Sequence, residues 1–334
     1  MLLRYLFLWL LCCAPAMAAA DQQPTLNVYT HPSFAAEWGP GPAIKEAFEQ
    51  QCECNLRFTV MDSAGDILQR LRLEGRSTRA DVILGLDTAT METARQTGLL
   101  APHTRSLINL ALPIQWQDDH FVPFDWGYFA FVYDTEQLPE PPASLDDLIN
   151  APDDLKIIIQ DPRTSTPGLG LLLWMHSVYG DQAPAKWQKL KGKILATTQS
   201  WSNGYFSLFM NGEAPMILSY STSPAYHMAI DNTDRYQAAE FAEGHYLQVE
   251  VAALVASSQQ PALGRAFLDF ILTPDFQRHI PLKNVMYPAI DLGDELPAVF
   301  DRLISPSRTL FMAPADVDQQ RRQLVNDWLD AMMR

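Results

Sequence analysis

The chain has 334 residues, 48% hydrophobic and 19% charged, and its 39 acidic and 24 basic residues give a formal net charge of −15. So acidic a chain is a poor partner for nucleic acid or an anionic membrane, which excludes both classes of function. Its length exceeds the usual size of a single hydrophobic core, so two lobes are expected.

The N-terminus has the parts of a secretory signal. Arg4 precedes the apolar run 6–13, and small residues follow at 14–18. We therefore expect residues 1–18 to be a signal peptide and the mature protein to be exported, with a charge of 23 − 39 = −16. No later stretch approaches the roughly 20 apolar residues that span a bilayer, so no membrane insertion is expected.

Four cysteines are present, and Cys12 and Cys13 leave with the signal peptide. The remaining pair, Cys52 and Cys54, is consistent with a local disulfide or with two unpaired thiols. A Cys-x-Cys pair alone is a weak metal motif, because zinc takes four ligands and no second cluster follows. No metal site is predicted.

Short strands alternate with helical spacings in the first hundred residues. This alternation predicts an α/β lobe with a mainly parallel sheet, in which ligands bind at the carboxyl ends of the strands. The predicted strands are residues 26–30, 56–61 and 82–84, and the loops 31–38, 62–66 and 85–87 form the expected rim of a binding site.

Residues 121–133 form a long aromatic strand that suits a first crossing between lobes, and residues 246–255 alternate like a returning strand. We expect a first lobe of residues 19–124 and 247–300 and a second lobe of 125–246. The C-terminal segment 301–334 should pack on the body as an amphipathic helix. Within the first crossing, Asp125 needs a partner if it is buried, either a cationic ligand group or a backbone hydrogen bond.

A strand, a polar elbow and a helix start follow one another in residues 157–180. The pattern predicts a strand at 157–159 and a helix from Pro167, capped by Ser165 or Thr166. The free N–H groups of the first turn would form an anion seat, and Gly168 and Gly170 would let a ligand approach the backbone. An ordinary capped connection has the same pattern.

Nucleophile elbows, phosphate loops and His-Glu-x-x-His motifs are absent from the sequence. Aromatic residues instead stand beside hydroxyls in predicted loops, at Trp38, at Trp201 and in residues 220–226. Aromatic faces bind flat or cationic groups, although each ring is also an ordinary core residue. With the anion seat, they indicate a ligand that has an aromatic cation and an acidic tail.

Several long blocks resemble one protein family. They are Tyr29 with Thr30, residues 33–42 (SFAAEWGPGP), 124–134 (FDWGYFAFVYD), 160–170 (QDPRTSTPGLG) and 244–250 (GHYLQVE). These blocks closely resemble the periplasmic thiamine-binding proteins of bacterial ABC importers, from the signal peptide almost to the last helix.

The resemblance implies a two-lobed periplasmic binding fold of type II with interleaved lobes. It implies that thiamine, thiamine monophosphate or thiamine pyrophosphate binds in the cleft without catalysis and without a cofactor. The expected partners are a membrane permease and its ATPase, and the protein is expected to be a monomer.

Ligand contacts of the family fall on residues of this chain. The matching positions are Ser63, Ala64, Ser165, Thr166, Trp201, Tyr220, Ser221, Thr222 and Ser223, and Asp125, His31, Trp38 and Tyr226 complete the predicted site. The chain departs from the family at Ser63 and Ala64, where the family has Asp-Gly, and at His31, where it has tyrosine.

Two other functions fit parts of the pattern. The first is a binding protein for ferric iron or a polyamine, with Tyr220 and Tyr226 as candidate iron ligands. The second is an exported thiamine-processing enzyme, which would need a nucleophile such as Cys52 or Cys54 with a base.

Overall fold

The computed structural model describes residues 23–333, so the predicted signal peptide, with Cys12 and Cys13, lies outside the described residues. The strands are β1 (Thr25–Thr30), β2 (Asn55–Val60), β3 (Val82–Asp87), β4 (Leu100–Ala101), β5 (Phe121–Asp134), β6 (Ile157–Gln160), β7 (Ile194–Thr198), β8 (Met216–Tyr220), β9 (Tyr236–Ala238), β10 (His245–Val255), β11 (Tyr287–Pro288) and β12 (Thr309–Leu310). The helices are α1 (Pro32–Ala35), α2 (Gly41–Cys52), α3 (Ala64–Glu74), α4 (Met91–Gln96), α5 (Leu145–Asn150), α6 (Thr166–Tyr179), α7 (Ala183–Leu190), α8 (Ser223–Ala229), α9 (Pro261–Ile271), α10 (Pro274–Gln277), α11 (Ile280–Lys283) and α12 (Pro314–Met333). None of these helices is long and apolar enough to cross a membrane.

The strands follow one another in the order β2-β1-β3-β10-β5-β8-β6-β7. The group β2-β1-β3 is parallel, as predicted for the first lobe, and the group β8-β6-β7 is parallel as well, because helices connect the strands of each group. Between them β10 is antiparallel to both β3 and β5, and β5 is antiparallel to β8. This is the two-lobed α/β fold expected from the sequence, with two parallel halves joined by two long antiparallel strands.

Strand β5 changes its neighbour along its length. It pairs with β10 from Phe121 to Tyr128 and with β8 and β9 from Phe129 to Asp134. A single strand therefore belongs to both halves of the sheet, which explains why it reads as one long aromatic run. The lobe boundaries at residues 124/125 and 246/247 stay predictions.

The terminal helix α12 packs on the body. Val317, Leu324 and Trp328 are buried in a core that also contains residues of α6 and α7. Near its start, Asp318 accepts a hydrogen bond of 2.5 Å from Thr93 on α4. The helix thus contacts elements that flank both halves of the sheet.

A disulfide joins Cys52 and Cys54 at the end of α2, with the two Cα atoms 5.1 Å apart. Glu53, between them, lies in the left-handed region at φ 50°, where the helix ends. Of the two arrangements that the sequence left open, the structure has the bonded one. Neither thiol is free to act as the nucleophile of an enzyme.

Candidate functional site

Three carboxylates form a row across three adjacent strands at the centre of the sheet. Glu250 on β10 lies directly opposite Asp125 on β5 and, on its other side, directly opposite Asp87 on β3. We call Asp87, Asp125 and Glu250 the acidic floor. Asp125 is 0% exposed and Asp87 2%. Like charges opposed in this way destabilise a sheet, so the acidic floor requires protons or positive charge.

The pairing of β10 with each of its two neighbouring strands is irregular close to the three carboxylates. The register of β10 shifts between Glu250 and Val251 against β5 and between Val251 and Ala252 against β3, which marks bulges in the ladder. On β3 the irregularity falls at Gly85, whose φ is +106° and where an added Cβ would lie 2.5 Å from the His31 ring. Bulges re-aim side chains beside binding sites, and here glycine also makes room for His31. The predicted loop 85–87 is therefore the bent end of a strand.

Two further side chains reach the acidic floor. His31 Nε2 lies 3.7 Å from Glu250 Oε1. Asn284 donates from its amide nitrogen to Asp125 Oδ2, and the same nitrogen lies 3.3 Å from Glu250 Oε2. One amide group therefore holds the two carboxylates together.

The two central carboxyl groups differ in protonation. Burial, and then the negative charge of Glu250, raise the pKa of Asp125 well above its usual range. Burial opposes ionisation of Glu250 too, but His31 and hydrogen bonds from Asp125 and Asn284 together lower its pKa. Asp125 is thus the group that holds a proton, and Glu250 the one that carries the charge.

Several buried polar atoms around the acidic floor have no hydrogen-bond partner among residues 23–333. They are Thr30 Oγ1, His31 Nε2, Asp125 Oδ1, Ser221 Oγ and Gln248 Oε1. Buried polar groups in proteins are nearly always paired, because an unpaired group costs about 1–3 kcal/mol. This concentration of unused hydrogen-bonding capacity marks a place where a ligand completes the structure.

Tyr220 faces the acidic floor from the end of β8. Burial raises the pKa of its phenol strongly, and the charges of Glu250, Asp87 and Asp125 raise it further. Its ring centroid lies 5.2 Å from that of Phe129. The predicted loop 220–226 is instead a strand end followed by α8, in which Ser223 is 7% exposed and Tyr226 is 36% exposed.

The start of α6 meets the acidic floor directly. Thr166 Oγ1 donates to Asp87 Oδ2 at 3.2 Å. Ser165 occupies the cap position, 8% exposed, but its side chain makes no capping bond, and the helix begins at Thr166 rather than Pro167. The Ser165 hydroxyl is therefore not committed to the helix.

The sequence interpretation of the two α6 glycines was wrong. An added Cβ at Gly168 would lie 2.5 Å from the Gln160 carbonyl oxygen, and one at Gly170 would lie 2.1 Å from the Phe129 ring. Both glycines admit the protein's own strands β6 and β5, so they are explained by packing and not by the approach of a ligand.

The indole ring of Trp201 is held by a hydrogen bond at its edge and by stacking on one of its faces. Its indole nitrogen donates to Ser219 Oγ at 2.8 Å, and its ring stacks on Tyr205 at 4.9 Å. Behind the stack, the Tyr205 hydroxyl lies 2.8 Å from His227 Nε2, and His227 Nδ1 lies 2.8 Å from Asp231 Oδ2. The segment was predicted as a loop, but Trp201 begins a helical stretch that continues as a π-helix over Asn203–Phe209. Such π-helical turns are frequent at functional sites.

Other predicted contacts lie apart from the acidic floor. Ser63 caps α3, where its Oγ accepts from the Asp66 amide at 3.1 Å, and Ala64 is buried at the start of that helix. Trp38 is 56% exposed. Within residues 23–333, no hydrogen bond or ring contact joins these three residues to the floor, and their role in binding stays a prediction.

The sequence predicted Asp87 only as part of the rim loop 85–87, and neither Glu250 nor Asn284 was among the predicted site residues. A signal for Glu250 was available, because Gln248 and Glu250 are polar alternates in a strand that is otherwise apolar. Asp87 ends a fully buried strand, which is a second signal of the same kind. Asn284 lies far from both in sequence and gives no such signal.

One group among the described residues has metal-ligand spacing: Asp118, Asp119 and His120. The Arg95 guanidinium lies 2.5 Å from Asp118, 3.4 Å from Asp119 and 3.3 Å from the His120 ring. The protein's own cation therefore balances this group, which does not contribute to the acidic floor.

Comparison with known proteins gives relatives along the whole chain. The model of a family described as bacterial extracellular solute-binding protein matches residues 77–319. The thiamine-binding periplasmic protein of Salmonella typhimurium is 50% identical over 334 residues, 100% of both chains. A solved periplasmic thiamin binding protein is 50% identical with a TM-score of 0.90, covering 93% of this chain and 97% of that one. Iron-bound HitA from Pseudomonas aeruginosa, 18% identical with a TM-score of 0.73 over 91% and 99% of the chains, shares the fold alone.

Proposed function

We propose that this chain, which belongs to the bacterial extracellular solute-binding proteins and among them to the thiamine-binding periplasmic proteins, captures thiamine and its phosphate esters in the periplasm and delivers them to an ABC importer. The protein acts as a binding subunit without a cofactor of its own. Its partners are a membrane permease and the ATPase attached to it, and it works as a monomer exported by the signal peptide of residues 1–18.

The observation that carries the proposal is the acidic floor with its unpaired polar atoms. Asp125 Oδ1 is fully buried beside Glu250 and has no hydrogen-bond partner within residues 23–333, and the charge of Asp125 acts on Tyr220. A buried carboxylate pair of this kind suits a ligand with a permanent positive charge, and the thiazolium ring of thiamine has one. An aromatic wall at Trp201, held by Ser219 and Tyr205, suits a flat ring.

The ligand then lies with its cationic ring toward Asp125 and Glu250. Its hydroxyethyl or phosphate end points toward the N-terminus of α6, where the Ser165 side chain makes no capping bond to the helix. Tyr220 and the hydroxyls of residues 221–223 lie between these two ends. The interleaved lobes, 19–124 with 247–300 and 125–246, close on the ligand from both sides.

A calorimetric titration of the purified, ligand-stripped protein tests the proposal. Thiamine, thiamine monophosphate and thiamine pyrophosphate are titrated in turn, with ferric citrate and putrescine as competitors of other chemistry. We expect saturable heat with at least one thiamine form and none with ferric citrate or putrescine. Absence of heat with every thiamine form would overturn the proposal, and product formed on prolonged incubation would favour the enzyme alternative.

A double variant tests the orientation of the ligand. Thr166→Val with Ser165→Ala should weaken binding of the phosphate esters about tenfold more than binding of free thiamine, since a hydrogen bond to a charged group contributes about 1.5–3 kcal/mol. Loss of the Thr166 bond to Asp87 affects all three ligands alike, so the difference between ligands is the informative quantity. Calorimetry with the three forms measures it.

The matched control for this variant is Thr164→Val. Its hydroxyl belongs to the same elbow but is exposed and donates to the Gln199 carbonyl oxygen at 2.9 Å. We expect this change to leave the preference among the three ligands unaltered. An equal loss of all three ligands in the double variant would refute the assignment of the phosphate end.

A further inference from the structure

We propose that a proton shared by Asp125 and Glu250 occupies the place of the ligand's positive charge in the empty protein, and that binding of the cationic ligand expels this proton to solvent. The inference rests on the proposed function, which supplies the cation. It makes Glu250 and Asp125 the residues that select a charged ring over a neutral one of the same shape.

The geometry of the pair requires a proton in the empty protein. Asp125 and Glu250 are directly opposite on adjacent antiparallel strands, where side chains point to the same face. Asn284 contacts Asp125 Oδ2 and Glu250 Oε2 through one amide nitrogen, which keeps the two carboxyl groups together. Two ionised carboxylates at such a site repel each other with little water to screen them, so one of them takes up a proton.

Groups from three other parts of the fold face the pair. His31, the residue that caps α1, has its Nε2 3.7 Å from Glu250 Oε1. From β3, Asp87 adds a negative charge, which Arg321 of α12 partly offsets, and from β8 Tyr220 adds a neutral phenol. His31 favours ionisation of Glu250, while burial and Glu250 together favour the protonated form of Asp125.

Exchange of the proton for the ligand keeps the net charge of the site, pair and ligand together, constant. In the empty protein the pair holds one proton and one negative charge. With the ligand bound, two negative carboxylates face one positive ring, so the sum is again one negative charge. The exchange avoids a change in net buried charge, which is costly in a low-dielectric site. The O–H bond of the acid breaks, the electron pair stays on the carboxylate, and the buffer accepts the proton.

The measurement is calorimetry of thiamine binding to the full mature protein in buffers of different ionisation enthalpy, such as phosphate and Tris, at about pH 7. The dependence of the apparent enthalpy on the buffer gives the number of protons released. We expect release of up to one proton with thiamine and none with its neutral thiophene analogue, in which carbon replaces the thiazolium nitrogen. The affinity for thiamine should rise with pH over the range in which Asp125 loses its proton in the empty protein and level off above that range, and the affinity for the analogue should not change.

Three variants test which residue releases the proton when thiamine binds. Asp125→Asn should abolish the release and flatten the pH profile, whereas His31→Gln should retain the release. Glu213→Gln, an exposed carboxylate outside the acidic floor, is the control and should behave as the wild type. Loss of the release in His31→Gln, or its survival in Asp125→Asn, would overturn the inference. If Asp125→Asn does not fold by circular dichroism, the pH profiles of wild type with thiamine and its analogue still decide it.

Different results of these experiments would disprove the proposed function and the proton exchange. If thiamine gives no heat with the wild-type protein, the proposed function fails. If thiamine binds but its enthalpy does not depend on the buffer and its affinity does not depend on pH, the function stands and the proton exchange is wrong.

Discussion

Two buried polar clusters lie on strand β10 and differ in how many of their polar atoms have hydrogen-bond partners. At the start of the strand, His245 Nδ1 lies 2.8 Å from the Phe129 carbonyl oxygen, and His245 Nε2 accepts from the Phe241 amide at 2.9 Å. We call His245 with these two backbone groups the His245 junction. Further along, Asp125 Oδ1 of the acidic floor and Gln248 Oε1 next to it along the strand have no hydrogen-bond partner in the part of the chain that the structure describes. Both clusters are almost fully buried, so burial alone does not distinguish them.

The presence of hydrogen-bond partners, and not burial, distinguishes structural polar groups from ligand-facing ones in this protein. Both ring nitrogens of His245 have partners, which fixes one neutral tautomer with the hydrogen on Nδ1. Such a group stabilises the fold, and both of its ring nitrogens already have backbone partners, so neither is available to bind a ligand. The acidic floor has unused acceptors and like charges opposed, so it weakens the empty protein and gains most from a bound cation. Changes at the junction should therefore affect stability, and changes at the floor should affect binding.

The largest effect is expected from His245→Ala. It leaves the Phe129 carbonyl and the Phe241 amide unpaired beside a new cavity, so the free energy of unfolding should fall by about 3–5 kcal/mol. Urea denaturation measures this change, and the affinity of the folded protein for thiamine should stay within about threefold of wild type.

The control for His245→Ala is His176→Ala on α6, a half-buried histidine. We expect it to change the free energy of unfolding by less than about 1 kcal/mol. If His245→Ala instead weakened thiamine binding in a protein of normal stability, the division between the two clusters would be wrong.

A somewhat smaller effect is expected from pH. Burial lowers the pKa of His245 from 6.5 to about 4. Between these two values the unfolded chain binds a proton that the folded protein does not, so stability falls as the pH decreases from about 6.5 to 4, by about 3 kcal/mol. Urea denaturation at a series of pH values should reveal this loss.

His245→Gln is the variant that isolates this pH effect. Glutamine keeps a donor and an acceptor but does not titrate in this range. The slope of stability against pH should become shallower in the variant, although its stability at neutral pH also decreases. An unchanged slope would mean that other groups cause the acid sensitivity.

The smallest of the three effects is expected at the aromatic wall. Trp201→Leu should reduce the affinity for thiamine about tenfold, because a ring contact with a cation contributes about 0.5–2 kcal/mol. Calorimetric titration measures the loss, and Phe206→Leu is the matched control. Phe206 meets the Trp201 ring edge-on at 5.5 Å but is 51% exposed, so its change should cost less than about threefold. Equal losses in the two variants would remove Trp201 from the site.

The candidate site was partly predictable from the sequence. Asp125 stood out because a single acid in a long aromatic strand needs a partner, and the structure buries it completely. Glu250 was overlooked because alternation along β10 indicates only which face a residue takes, and not what lies opposite it. The glycines of α6 were misread, since a short distance to a ligand and a short distance to a neighbouring strand require the same residue.

Local patterns in the sequence determined the secondary-structure elements. Short β-branched or alternating runs indicate the strands, and apolar residues at helical spacing together with capping residues indicate the helices. The length of β5 indicates the strand that crosses between the lobes. The Ser144 cap illustrates this, because its Oγ accepts from the amide of Asp147, three residues along the chain, at 2.9 Å. These features depend on neighbouring residues, so a single chain is sufficient to see them.

Only the tertiary structure decided how the acidic floor is assembled. Asp87, Asp125 and Glu250 come from three strands that are distant in sequence, and the bulges beside Glu250 bring them into one row. Register across non-local strands is set by the packing of the whole sheet, which no local pattern encodes. The sequence therefore supplied the charges, and the fold placed them close enough to hold a proton or a cation.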